Sequence, residues 1–215
     1  MSALSLARDE SAHLAGFLAR VTGWDERAAV RVQTRRTVLG VYAPSPLDVL
    51  GFVALPMASA PADHVDTTVS AGRLRDILGD VARLPAVSEV PLPDPVTGSA
   101  SLAVLPPPGT WMPGERGTAG DVAGLVDAAV ASFRSAVPAT GSLSADLVAE
   151  ATWDAPGWGG LPMRALHAAR LLGFLAHPGA RIETATISGW KRLVTPAGQV
   201  FVRNTSAPVR LSVVR

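Results

Sequence analysis

The four histidines are the residues of this chain best suited to bind a metal ion, and their spacing argues against that role. They are His13, His64, His167 and His177. No two of them are four residues apart, whereas a zinc site of the His-Glu-x-x-His type places two histidines on one helical face. The segment Asp63-His64-Val65-Asp66 is better explained by solvated charges at the start of a strand. We predict no metal site, and no catalytic role for His167 within its apolar helix.

The sequence also lacks the common signatures of a catalytic nucleophile or a nucleotide site. It has no cysteine and no Gly-x-Ser-x-Gly segment, and Ser70 fits a helix cap better than a nucleophile. A P-loop needs a glycine before its lysine, but the single lysine, Lys191, follows Trp190. We therefore expect a non-enzymatic protein without a cofactor. An active site assembled from dispersed carboxylates stays open, because the sequence alone does not show which of its eighteen acidic residues meet.

Tryptophans in glycine- and proline-rich segments provide the strongest indication of function. Trp111 follows Pro106-Pro107-Pro108-Gly109, and Trp153 and Trp158 flank Pro156-Gly157. An indole in a loop either folds back onto the core or contacts a partner, and the sequence leaves both interpretations open. The functional interpretation is an exposed aromatic surface, to which Trp190-Lys191-Arg192 adds. The candidate binding residues are Trp111, Trp153, Trp158, Trp190, Lys191 and Arg192.

The composition predicts a soluble cytoplasmic protein. Of its 215 residues, 48% are hydrophobic and 17% are charged, which suffices for a substantial core. The net charge of +1 argues against a dominant nucleic-acid or membrane surface. Charges interrupt the first twenty residues, unlike a secretory signal. The longest apolar run, residues 49–57, is too short to span a bilayer and contains Pro56.

Apolar periodicity predicts a β-rich N-terminal half that begins with a helix. The helical pattern covers Leu4–Arg20. Strand patterns follow at 28–42, 47–55 and 64–69, Ser70 is placed to cap a helix over 71–78, and a short strand is predicted at 101–105. These elements form a predicted β-rich subdomain over residues 1–105.

The C-terminal half has a different pattern. Residues 106–117 contain four prolines and three glycines, which predicts a linker to a helical subdomain over residues 118–215. Thr118 and Asp121 have the spacing of a capping box. Helices are predicted from residue 118, at 144–151 and at 161–176, then strands at 181–194, 199–203 and 209–214, with a turn at 195–198. The predicted fold is α+β, with a β-rich N-terminal half packed on a C-terminal half of three helices and a β-hairpin.

Two functions fit this order of elements. Three helices and a hairpin are also the order of a winged-helix DNA-binding domain, in which the third helix reads DNA and the hairpin, with Lys191, Arg192 and Arg203, is the wing. Apolar Met163 and Leu171 lie where that helix needs polar side chains, and the basic excess is small. We favour a protein-binding or regulatory protein that uses the tryptophan segments, and keep the winged-helix DNA-binding protein as the alternative. DNA is the less favoured partner, no membrane partner is expected, and the oligomeric state is open.

Two resemblances follow from particular segments. Residues 161–170 and 188–193 resemble uncharacterised proteins of high-GC Gram-positive bacteria, which implies an actinobacterial lineage and no activity. Leu47–Leu55 together with Thr67–Leu78 is similar to one strand–cap–helix stretch of a bacterial DNA sliding-clamp module. A clamp chain needs several such modules, and residues 118–215 do not supply another in their sequence. Clamp function is therefore not inferred from this similarity.

Overall fold

One antiparallel sheet of eight strands runs through both halves of the chain. A computed structural model describes residues 3–81, 83, 87–137 and 142–203. The strands of the sheet are β2 (Ala29–Arg35), β3 (Val38–Pro44), β4 (Leu50–Pro56), β5 (Asp66–Ser70), β7 (Met112–Thr118), β8 (Arg181–Ile187), β9 (Trp190–Thr195) and β10 (Gly198–Arg203). Their order across the sheet is β5-β2-β3-β4-β10-β9-β8-β7. A separate antiparallel pair joins β1 (Ala3–Leu6) to β6 (Ser88–Pro91).

Most of the helices lie on one side of this sheet, which we call the inner face. They are α1 (Arg8–Trp24), α2 (Ala71–Val81), α4 (Ala119–Ala136), α5 (Ser142–Trp153) and α6 (Met163–Leu171), whereas the short α3 (Ala100–Ala103) lies on the opposite, outer face. Leu14, Leu74 and Leu166 of the helices are fully buried in the same cluster as Val53 and Val200 of the sheet. Because successive side chains of a strand point to opposite faces, this core takes every second residue of the central strands.

The predicted α+β class is confirmed, including the three helices and the hairpin of the C-terminal half. Several local predictions are wrong or incomplete. The helix predicted over Leu4–Arg20 begins only at Arg8, because Ala3–Leu6 pairs with β6 as strand β1. The predicted strand 28–42 is two strands, β2 and β3. Residues 101–105 do not form a strand, because Ala100–Ala103 closes a single helical turn, α3, with Leu102 buried. The predicted strand 181–194 is two strands, β8 and β9, joined at Gly189 with φ 75°, a conformation that glycine adopts without strain. Part of the predicted linker, Met112–Thr118, forms β7, and the predicted strand 209–214 lies outside the described residues.

Both predicted helix starts are capped as the sequence indicates. The Ser70 hydroxyl accepts a hydrogen bond from the Arg73 backbone amide at 3.4 Å at the start of α2. At the start of α4, the Thr118 backbone amide donates to Asp121 Oδ2 at 2.7 Å. The Thr118 hydroxyl donates to the same oxygen at 2.9 Å. Both hydrogen bonds lower the pKa of Asp121, and the first satisfies a backbone amide that the start of a helix leaves free.

The two halves of the chain meet where β4 pairs with β10, and we call this pairing the seam. Its register pairs Gln199 with Phe52, Val200 with Gly51, and Phe201 with Leu50. On the inner face the seam is covered by Phe17 of α1 and Phe174 after α6, whose rings stack with centroids 5.9 Å apart. The halves are therefore joined edge to edge in one sheet and share one core below it.

Gly51→Ala should destabilise the protein by about 1–3 kcal/mol. A Cβ at this seam position would lie 2.6 Å from Leu172 Cδ1, and Leu172 is buried in the core, so the added methyl has no room. The matched control is Gly124→Ala in α4, where a Cβ meets nothing within 4 Å and alanine favours the helix by about 0.5–1 kcal/mol. Urea unfolding measures both variants, and a Gly51→Ala protein as stable as the wild type would contradict the tight packing beneath the seam.

Candidate functional site: an aromatic cleft on the outer face

Three aromatic rings form a continuous floor on the outer face across the seam. Tyr42 of β3 lies next to Phe52 of β4, with centroids 4.5 Å apart. Phe52 in turn lies 6.0 Å from Phe201 of β10. The register explains this row, because Tyr42 is paired with Phe52 and paired residues of an antiparallel sheet point to the same face. Gly40 leaves room for it, since a Cβ there would lie 2.9 Å from the Phe52 ring.

The chain between β6 and β7, residues 92–111, crosses the outer face and forms one wall above this floor; we call it the connector. Trp111 at its end packs on Phe201, with ring centroids 5.6 Å apart. Pro106, Pro107 and Pro108 continue the wall. The opposite wall consists of the tip of the β2–β3 hairpin and the loop at 60–64. Together they enclose an open cleft of about 1260 Å³, which we call the aromatic cleft.

An ion pair on the outer face ties the connector to the sheet. Arg31 of β2 donates to both carboxylate oxygens of Asp66, at 2.7 Å and 2.9 Å. Its Nη1 also donates to the backbone carbonyl of Leu102 in the connector at 3.0 Å. Gln33 adds a third hydrogen bond to Asp66 at 3.0 Å. The hydrogen bond from Arg31 lowers the pKa of Asp66. The wall that carries Trp111 is thus held to the strands that form the floor.

Two polar side chains at the floor of the cleft have buried atoms for which the described residues supply no hydrogen-bond partner. The Arg192 guanidinium carbon lies 4.5 Å from the centroid of the Trp111 ring, and its buried Nε forms no hydrogen bond. The buried Oε1 of Gln199, on the neighbouring strand, accepts none. Burial lowers the pKa of Arg192, but an arginine stays protonated in any ordinary protein environment. A cation, a free donor and a free acceptor therefore face the same aromatic surface.

The structure divides the predicted binding residues between the two faces of the sheet. Trp111, Trp190 and Arg192 belong to the outer face. Trp190 lies outside the cleft and is buried, with 9% of its surface exposed. The guanidinium carbon of Arg203 lies 5.3 Å from the centroid of its ring. Lys191 is on the inner face, where its Nζ donates to the Gly160 carbonyl at 2.6 Å. These residues do not form one surface.

The other two tryptophans pack on the inner side. Trp153 is not in a loop, because it ends α5. Its ring stacks on His167 of α6 at 4.7 Å and contacts Phe133 of α4 at 5.2 Å. Burial lowers the pKa of His167, which favours the neutral ring in this stack. Trp158 lies in a short 3-10 turn and packs against the inner core. For both residues the structure matches the interpretation in which the indole folds back onto the body.

The sequence reasoning missed most of the residues that form the cleft. Tyr42, Phe52, Phe201 and Gln199 lie at outward positions of β3, β4 and β10, in segments that we interpret only as strands. A signal exists, since Tyr42 and Phe52 both occur in strands with otherwise aliphatic side chains. That signal does not reveal that the two rings are neighbours, because the register of the strands sets their contact.

The wing that the DNA-binding alternative requires does not project from the body. Strands β9 and β10 lie in the middle of the sheet, with β8 on one side and β4 on the other. The proposed reading helix, α6, buries Met163, Leu166 and Ala169 against the core. Its polar side chains are also engaged, since Arg164 pairs with Asp154 at 3.0 Å. The hairpin and the helix thus have structural roles in the sheet and the core.

Within the described ranges, the structure contains no helix that is both long and apolar enough to cross a membrane. The same ranges contain no cluster of three or more histidine, aspartate or glutamate side chains arranged to hold a metal ion.

This architecture is that of the bacterial sliding clamps. A DNA polymerase sliding clamp from Pseudomonas aeruginosa superposes with a TM-score of 0.59 at 12% identity, over 97% of this chain and 66% of that one. A clamp (DNA polymerase III subunit beta) from Bartonella birtlesii gives 0.58 at 12% identity, over 97% and 66%. The clamp from Caulobacter crescentus gives 0.57 at 13% identity, over 98% and 67%. At such low identity the likeness establishes a shared fold, and this chain spans about two thirds of the length of these clamps.

The likeness therefore extends well beyond Leu47–Leu55 and Thr67–Leu78, the segments whose sequence resembles a clamp module. It includes the C-terminal half, whose sequence shows no such module.

In sequence, the chain matches two family models that divide it within the connector. Residues 1–102 match a model described as a domain of unknown function, DUF8010. Residues 106–207 match a second, described as a domain of unknown function, DUF8185. A comparison with curated protein sequences found no match to the chain.

Asp66→Asn should lower the free energy of unfolding at pH 7 by up to about 1 kcal/mol. The folded state depresses the pKa of Asp66 below the value of about 3.9 expected in the unfolded chain. Its contribution is therefore present above that value and is lost as the pH falls through the folded pKa. The measurement is the urea concentration at the midpoint of unfolding, for wild type and variant, at pH 7 and at pH 3. The difference in midpoint between the two proteins should be smaller at pH 3 than at pH 7. Asp80→Asn is the control, because Asp80 and its partner Arg83 are both 82% exposed. If Asp66→Asn differed from the wild type by the same amount at pH 3 as at pH 7, the stabilising role of the Asp66 carboxylate would be contradicted.

Proposed function

We propose that this protein is a non-enzymatic binding protein that holds a segment of a protein partner in the aromatic cleft. The observation that supports this most directly is the partly exposed ring of Trp111 above the floor of Tyr42, Phe52 and Phe201. Aromatic and arginine side chains that converge in a pocket are the residues that dominate protein interfaces. The cleft has this composition.

The cleft is also preformed, which favours binding. Its floor lies on adjacent strands of one sheet, and its Trp111 wall is held to the sheet through the hydrogen bond from Arg31 to the Leu102 carbonyl at 3.0 Å. A surface held in place before binding loses less conformational entropy when a partner orders on it. A flexible tryptophan loop would not have this advantage.

The shared fold supports the same class of function. Structural likeness to DNA polymerase sliding clamps is compatible with a protein-binding role that involves no chemistry of its own. Of the residues that the sequence singles out, we assign Trp111 and Arg192 to this role. Trp153, Trp158 and Lys191 then serve the packing of the inner side, and Trp190 the packing of the outer sheet.

Trp111→Ala should abolish capture of a partner while the protein stays folded. The ring is only partly buried, and its packing partners Phe201 and Arg192 lie on the sheet itself. The measurement is retention of proteins from a lysate of the native host on the immobilised full chain, identified by mass spectrometry. Tyr42→Ala, a change at the other side of the floor, should lose the same proteins.

Leu147→Ala is the matched control for this experiment, because it removes an apolar side chain that is 66% exposed on α5, away from the cleft. It should retain the partner at the level of the wild type. Capture of the same proteins by Trp111→Ala and wild type, with unchanged melting temperatures, would contradict a binding site in the cleft.

A further inference from the structure

We infer that the occupant of the aromatic cleft is an acidic segment of the partner, in which an aspartate or glutamate carboxylate pairs with Arg192 beside an apolar side chain on the aromatic floor. This inference rests on the proposed function and names the chemistry of its ligand.

Arg192 is held in position but lacks an anionic partner. Its guanidinium lies over the Trp111 ring at 4.5 Å, which fixes the plane of the group. Its buried Nε carries a hydrogen that no acceptor takes, and among the described residues it forms no ion pair. Since Nε is the buried edge of the group, an external carboxylate would approach the terminal nitrogens Nη1 and Nη2, to which the described residues supply no hydrogen bond.

The carboxylate that acts on Arg192 from within the protein is committed elsewhere. Glu183 of β8 contributes to the electrostatics of Arg192. Its Oε2, however, accepts a hydrogen bond from Arg116 of β7 at 3.0 Å. The Arg116–Glu183 pair lies at the edge of the sheet. Because Glu183 is already paired there, the positive charge of Arg192 can still be neutralised by an external carboxylate.

Gln199 supplies the complementary group for a peptide backbone. It lies on β10, where it is paired with Phe52, and its buried Oε1 accepts no hydrogen bond. An extended peptide presents both N–H and carbonyl groups along its length. The Gln199 carboxamide, whose buried edge is Oε1, presents its Nε2 to a backbone carbonyl of such a segment, while Tyr42, Phe52 and Phe201 fit an apolar side chain next to it.

The charged rim of the cleft favours the same occupant. The arginines and carboxylates that line it are Arg35, Arg36, Arg192 and Asp63, which is three positive charges against one negative charge. The other acidic group nearby, Asp66, is occupied by Arg31 and Gln33. An acidic segment would be attracted to this rim, and like-charge repulsion would disfavour a basic one.

The test is a selection of random dodecapeptides displayed on phage against the immobilised full chain. Selected peptides should be enriched in aspartate or glutamate beside an aromatic or aliphatic residue, relative to the input library. Each should bind Arg192→Gln roughly tenfold or more weakly than wild type, as expected for loss of a charged hydrogen bond. Arg203→Gln is the matched control, since it also removes an arginine from over a tryptophan of the outer face, at 5.3 Å, but outside the cleft, and it should bind within about twofold of wild type.

A second measurement leaves the protein unchanged and so does not depend on the folding of any variant. Each selected peptide is compared with its asparagine or glutamine version on the wild-type chain, and the neutral version should bind roughly tenfold more weakly. Selected peptides without acidic enrichment, or neutral versions that bind equally well, would overturn the acidic occupant. If such peptides still lost affinity for Trp111→Ala, the proposed function would stand. If no peptide were selected, both the acidic occupant and the cleft as a peptide site would be rejected.

Discussion

The antiparallel pairing of β4 with β10 is the interaction on which the rest of the structure depends. Within the described part of the chain, three residue pairs form this seam, yet it converts two four-stranded halves into one sheet. So short a ladder needs support from side chains on both faces. Below it, the rings of Phe17 and Phe174 stack across the boundary; above it, Phe52 and Phe201 lie edge to face.

The aromatic cleft exists because of the seam. Its floor takes Tyr42 and Phe52 from the N-terminal half, and it takes Phe201, Gln199 and Arg192 from the C-terminal half. The connector, which covalently links the halves, also forms one wall and places Trp111 over Arg192. The features that give the cleft its chemistry are therefore shared between halves that match two different family models. A change that separated β4 from β10 would remove the cleft even if each half kept its own fold.

The two faces of the sheet are covered to different extents, which explains why the tryptophans have different surroundings. On the inner side, Trp153 fills the space between α4, α5 and α6 by stacking on His167. On the outer face, helix α3 and the connector cover only part of the sheet, so Trp111 borders an open cleft. The same residue type thus completes a core in one place and borders an open cleft in another, because different groups lie opposite its ring.

Most helices and strands can be predicted from the sequence, because their causes are local. Periodicity and capping residues are sufficient to predict α2, α4, most of α1 and the strands near 47–55 and 64–69. Hydrogen bonds between residues three apart, such as Thr118 with Asp121, depend on spacing alone.

Which strands are neighbours, and hence where the cleft lies, follows from contacts between residues far apart in the chain. Phe52 and Gln199 pair across the seam although the whole α4–α6 region lies between them in the chain, and nothing local sets that register. Strand pairing at such a distance is selected by the fit of whole faces, with Gly51 making room for Leu172 and aromatic rings meeting above. The sequence shows which residues can form a surface, whereas the packing of one half against the other decides which of them share it.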